Sequence, residues 1–194
     1  MSKSKKRPVV YAYIDSQNVN VTTQKHGWKM NWAALRKFLA EEYGVTKAYM
    51  FIGYVPEFEP MYEQLHQQGY SIVLKPTFDM TRPRQEADQP DEEKRPIKGN
   101  IDAELVLWAM KDMKEYDKAI IVSGDGDFFC LVEYLDEQHK LEKIMAPTGQ
   151  YSSLYNKYES YVERLDNHKK VLEYRDRKKR APRLFGGRQS RQQN

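Results

Sequence analysis

A chain of 194 residues, 40% hydrophobic and 31% charged, suffices for one domain with a real core and is too short for two ordinary ones. No apolar run approaches the ~20 residues that cross a bilayer, and Cys130, the sole cysteine, excludes an intrachain disulfide and a thiolate zinc cluster. The net charge of +4 hides a segregation: residues 169–194 carry ten Lys or Arg against Glu173 and Asp176, Lys3, Lys5, Lys6 and Arg7 add four, and residues 8–168 hold 18 basic and 26 acidic side chains.

That distribution predicts a basic N-terminal arm over 1–7, one domain over 8–168 and a basic tail over 169–194. An acidic body with basic arms suits a domain that gathers carboxylates at one place and recruits a polyanion through its ends; basic tails also serve solubility alone. The basic start passes directly into a strand-like run with no small-residue cleavage site, so a cytoplasmic location is expected.

Residues 9–14, Val-Val-Tyr-Ala-Tyr-Ile, read as a buried strand that stops at Asp15-Ser-Gln-Asn18. Trp32, Leu35, Leu39 and Tyr43 recur at helical spacing, with Asn31 as N-cap and Gly44 as stop. Residues 47–55 form a second strand closed by Pro56, Met61 and Leu65 mark a helix ending at Gly69, and residues 71–75 form a third strand. Between Pro76 and Pro96 the pattern breaks into a charged, proline-containing connection over 77–97, long for a compact domain.

A helix follows over 101–113, a strand over 117–122 ending in Ser123-Gly-Asp-Gly-Asp127, a helix over 128–137, a strand over 142–146 and a final helix over 154–174. Alternating strands and helices predict a three-layer α/β/α fold with a mainly parallel sheet of about five strands. Tyr11, Tyr13 and Tyr54 sit in predicted strands and are read as core. His26, His66, His139 and His168 are far apart without ligand spacing and are read as surface or packing residues.

In such sheets ligands bind beyond the carboxyl ends of the strands. Asp15 ends the first strand, Asp125 and Asp127 follow the fourth, and Asp102 opens the helix between them in sequence. Singly, each acid has a structural explanation: an Asx turn at Asp15, a helix-dipole interaction at Asp102, and a turn over Asp125-Gly-Asp127 that ends in an N-cap at Asp127. Together they crowd like charges, for which a hard divalent cation is the usual remedy, and an all-oxygen donor set favours Mg²⁺ or Mn²⁺ over zinc. Such a cation suits phosphodiester hydrolysis. Lys98, four residues before Asp102, can pair with a carboxylate, meet a phosphate or be simply solvated.

Ile14-Asp-Ser-Gln-Asn18, Lys98-Gly-Asn-Ile-Asp102 and Val122-Ser-Gly-Asp-Gly-Asp-Phe128 resemble, in order, the three signature segments of the NYN group of PIN-like nucleases, over about residues 9–165. The resemblance implies a PIN-like Rossmannoid fold and a metal-dependent ribonuclease. It further implies that Asp15, Asp102 and Asp125 hold metal directly or through water, with Asp127 nearby and Asn18 and Ser123 steadying the site.

Two departures stand out. Trp108 occupies a place where many relatives carry a further acid, with Glu104 the nearest substitute, and Asp-Ser-x-Asn replaces the more usual Asp-Gly-x-Asn. The alternative is therefore a catalytically silent RNA-binding module on the same fold. A haloacid-dehalogenase phosphatase fails because Gln17 stands where its second acid belongs, and no Gly-x-Gly-x-x-Gly supports a dinucleotide enzyme. RNA is the expected partner, with Lys178, Lys179, Arg180 and Arg183 as sequence-blind phosphate contacts; pairing of two copies is left open.

Overall fold

A computed structural model describes residues 7–75 and 101–176 of the protein. Lys98, the connection over 77–97, and Lys178, Lys179, Arg180 and Arg183 lie outside the described residues, as does the arm before Arg7.

The first half reads β1 (Val10–Asp15), α1 (Ser16–Lys25), α2 (Trp32–Tyr43), β2 (Val45–Gly53), α3 (Glu59–Gln67) and β3 (Tyr70–Lys75). The second reads α4 (Asp102–Lys111), β4 (Lys118–Val122), a 3₁₀ turn (Gly126–Phe128), α5 (Phe129–Glu137) and β5 (Leu141–Ala146), then a 3₁₀ segment (Ser153–Tyr161), β6 (Val162–Arg164) and α6 (Lys169–Leu172). The strands form one sheet in the order β3-β2-β1-β4-β5-β6, with every pairing between them parallel. The chain winds outward from β1 to β3, returns to the middle and winds outward again from β4. That reversal opens a crevice beyond the carboxyl ends of β1 and β4.

Strand alternation sorts the core into two layers. Val10, Ala12 and Ile14 point to one face, where Val19, Leu35, Leu39, Leu65 and Leu172 cover them. Tyr13 points to the other with Tyr49 and Phe51, beneath Leu105 and Ala109 of α4 and Leu131, Val132 and Leu135 of α5. Each fully buried Leu contributes roughly 2 kcal/mol of transfer free energy. The predicted caps of α2 are present: Asn31 Oδ1 accepts from Ala34 N at 3.1 Å, and Gly44 takes the left-handed conformation with φ 66°.

Two elements depart from expectation. The predicted helix over 154–174 is instead 3₁₀ segment, strand and short helix. Tyr155, Tyr158 and Tyr161 recur every third residue, the 3₁₀ period, and the first two are buried. The chain then pairs with β5 through Ile144 and Val162, giving a sixth strand. The unanticipated α1 carries Val19, Val21, Thr22 and Thr23, β-branched residues of modest helix propensity. It forms because Asp15 caps it and Val19 and Thr23 are buried against the sheet.

Tyr13 is fully buried, whereas Tyr11 and Tyr54 are half-buried and Tyr54 lies just beyond β2, its hydroxyl donating to Glu59 at 2.7 Å. His26, His66 and His139 are exposed, and half-buried His168 meets Glu163 at 2.6 Å. Among the described residues no helix is long and apolar enough to cross a membrane.

Candidate functional site

The parallel register sets Ile14 of β1 opposite Val122 of β4, so the next residues, Asp15 and Ser123, emerge side by side at the crevice. Asp15 is only 5% exposed. Its Oδ1 accepts from Asn18 N at 3.0 Å, which caps α1, and its Oδ2 accepts from Ser123 Oγ at 3.2 Å. Ser123 Oγ accepts in turn from Asp125 N at 3.1 Å, and Asn18 Oδ1 accepts from Gly124 N at 3.0 Å. The two strand ends are thus laced together by side-chain oxygens.

Asp125 Oδ1 accepts from Asp127 N at 3.1 Å and caps the 3₁₀ turn. The N-cap expected at Asp127 is made instead by Asp125, because the turn begins one residue after it, and Asp127 is exposed. Asp102 is the first residue of α4, half-buried. Asp15, Asp102, Asp125 and Asp127 all line one cleft of about 410 Å³, with Ile101 and the near face of α1. Four acids from three separate chain segments share this space.

Their electrostatics reflect the crowding. Burial, with the nearby Asp102 and Asp125 charges, pushes the Asp15 carboxyl up to about 6 despite opposing hydrogen bonds from Asn18 and Ser123. Burial and then the Asp125 and Asp127 charges raise Asp102, while Lys75 lowers it. Lys75, at the end of β3, ion-pairs with Glu104 at 2.9 Å. Glu104 is therefore engaged by a lysine and does not line the cleft. Trp108 does not line it either: its ring packs on Tyr49 at 5.2 Å, with Lys111 Nζ 4.5 Å from its centroid. Two turns along α4, its position lies on the helix-to-sheet packing surface.

Sequence reasoning missed what holds the acidic loop from behind. Ser152 N donates to Gly124 O at 3.0 Å, and the hydroxyl of fully buried Tyr155 donates to the carbonyl of Asp125. A Cβ on Gly126 would sit 2.5 Å from Ser152 Oγ and 3.1 Å from Ser152 Cβ, so any larger residue forces Ser152 to shift. Burial, with the Asp125 and Asp127 charges, raises the Tyr155 hydroxyl, keeping it a donor. The repeated glycines of Gly-Asp-Gly-Asp hinted at a close approach without naming the segment that makes it.

Among the described residues, no three His, Cys, Asp or Glu side chains are gathered tightly enough to grip an ion by themselves. The donors are nonetheless hard oxygens with crowded charge. They fit a Mg²⁺-like ion that uses one or two carboxylates and keeps several waters better than a closed protein cage.

Comparison with known proteins gives a consistent result. The chain is 23% identical over 156 residues to the low amplitude and bright protein LabA of Synechococcus elongatus, spanning 78% of this chain and 81% of that protein. Its fold is similar to the crystal structure of a protein of unknown function from Vibrio parahaemolyticus, with a TM-score of 0.69 and 19% identity over 89% of this chain and all of that one. The family model for the NYN domain matches residues 10–166, nearly the whole folded body. The chain belongs to the NYN domain family.

Proposed function

We propose that the chain is a metal-dependent nuclease that hydrolyses RNA phosphodiester bonds, with Asp15, Asp102 and Asp125 holding Mg²⁺ or Mn²⁺ directly or through water. The observation that carries this reading is the convergence of four carboxylates from three distant segments on one cleft at the sheet's reversal point. The bound cation would neutralise charge on the scissile phosphate and lower the pKa of an attacking water. Asn18 and Ser123 hold Asp15 and the Gly124–Asp125 backbone in fixed relation. Asp127, exposed at the cleft, would hold a second ion or orient the attacking water. NYN membership supports a nuclease-type fold and a nucleic acid substrate.

The second reading, an RNA-binding module with a silent site, is favoured by the absence of a tight three-ligand cluster among the described residues. One experiment separates the two. Single-stranded and structured RNA are incubated with wild type and Asp125→Asn, with Mn²⁺ and with EDTA. Cleavage by wild type alone, and only with the cation, supports the nuclease; equal degradation by both proteins removes the proposed site.

A further inference from the structure

The cleft is chemically lopsided. Its floor and one wall carry Asp15, Asp102, Asp125 and Asp127, whereas the α1 wall presents Gln17, Val21 and Lys25 without a carboxylate. These three recur at four-residue spacing and form one ridge along the helix, on the order of 12 Å from first to last. Gln17 and Lys25 are exposed, and Val21 is 42% exposed, an apolar side chain open at the rim of a polar site. Lys25 is the sole cation among the described residues lining the cleft. Among the described residues that line the cleft, this wall alone offers a polyanion a positive charge.

We infer that the exposed ridge of α1 is the track on which a single-stranded polynucleotide lies as it enters the cleft, Lys25 meeting a backbone phosphate and Val21 packing against a sugar or unstacked base. The inference rests on the nuclease reading for its substrate. Asp15 is recessed at the start of this helix, so a flexible strand following the ridge from Lys25 towards Gln17 is led to the carboxylate floor. A rigid duplex has no unstacked base to offer Val21 and cannot bend into the recess without deformation.

The test measures binding first, so that it stands even where nothing is cut. Full-length protein carrying Asp125→Asn, in EDTA, is titrated against a labelled oligouridylate over a salt series, with Lys25→Gln, Val21→Asp and the control Lys37→Gln added in turn. Lys37 sits on α2, 72% exposed and away from the cleft. Loss of one phosphate contact lowers the salt slope by about 0.7 and weakens binding about fivefold near ~0.1 M salt. Lys25→Gln is expected to show both, Val21→Asp at least the loss of affinity, and Lys37→Gln neither.

Equal losses from Lys25→Gln and Lys37→Gln, or a duplex that binds as tightly and loses as much, overturn the inference. An oligodeoxynucleotide of matching length runs alongside: equal losses assign the track to the shared phosphate backbone, and losses on RNA alone assign it to a ribose strand. In protein that keeps its native Asp125, assayed with Mn²⁺, Lys25→Gln raises KM several-fold and leaves kcat within about twofold. Failure of wild type to cut any RNA would end the nuclease reading without touching the binding result.

Discussion

Asp15→Asn should make the protein more stable while disarming it. In the folded state the Asp15 carboxyl sits at about 6 against an ordinary 3.8, so the native state binds that proton more tightly than the unfolded chain. Between those values stability therefore falls as pH rises. Above pH ~7 the ionised, buried carboxylate costs the fold on the order of 3 kcal/mol, at about 1.4 kcal/mol for each pH unit that separates the folded from the unfolded value. An asparagine keeps the acceptor for Asn18 N and turns an amide N–H towards Ser123 Oγ, which still has a lone pair for Asp125 N. It removes the charge but leaves the buried Ser123 hydroxyl hydrogen without its acceptor, and a gain of about 1–2 kcal/mol remains of the ~3 after that loss. At roughly 2–4 °C per kcal/mol for a chain of this size, the melting temperature in EDTA at pH 8 should rise by about 2–8 °C. At pH 4 no advantage should remain, because folded Asp15 is then protonated, the unfolded carboxyl is close to its own midpoint and the Ser123 hydroxyl still lacks its acceptor. Melts of both proteins at the two pH values decide it. A variant less stable than wild type at pH 8, or a gap that does not change with pH, would refute the burial argument. Added Mn²⁺ should raise the wild-type melting temperature more than the variant's.

Tyr155→Phe leaves the Asp125 carbonyl without its donor and should cost about 1–2 kcal/mol by urea titration, with weaker Mn²⁺ binding by calorimetry; unchanged metal affinity would confine Tyr155 to a packing role. Tyr13→Phe should do the reverse, gaining about 1 kcal/mol, because the Tyr13 hydroxyl is buried with no hydrogen-bond partner among the described residues. Gly126→Ala should destabilise by about 1–3 kcal/mol through its clash with Ser152 Oγ, and Ser152→Ala in the same protein should recover part of the loss. Truncation after Asp176 removes seven basic residues and no acids and should lower RNA affinity and its salt slope with the fold intact. The cut belongs there because Leu172 is fully buried and its carbonyl accepts from Asn31 N.

What could be read from the sequence divides by the range of the interaction. The parallel sheet, the caps of α2 and the strand-end position of Asp15 follow from local pattern: a β-branched run, an Asn–Gly bracket, an acid where a buried strand stops. The order of winding then brings β1 beside β4, and two acidic segments more than a hundred residues apart become neighbours. β6 escaped because three residues carry too little pattern to interrupt a helical reading of 154–174. Helix α1 escaped because its own propensity is modest and its stability comes from burial and one cap. Tyr155 left no trace, since its hydroxyl meets a backbone carbonyl thirty residues away, which any residue at 125 would supply.

The sequence posed capping and metal binding as rival duties for the acids, and the geometry removes the rivalry. Asp15 caps α1 and Asp125 caps the 3₁₀ turn. A carboxylate oxygen that accepts one N–H keeps a second lone pair; the other oxygen adds two more at Asp125 and one at Asp15, where it also accepts from Ser123. Capping holds each carboxylate in a fixed orientation and leaves part of its acceptor capacity facing the cleft. The lacing through Ser123 and Asn18 and the strap from Ser152 and Tyr155 then resist the repulsion that would drive the acids apart. A site so braced keeps its shape while uncompensated, at a cost in stability that the pH dependence of Asp15→Asn measures directly.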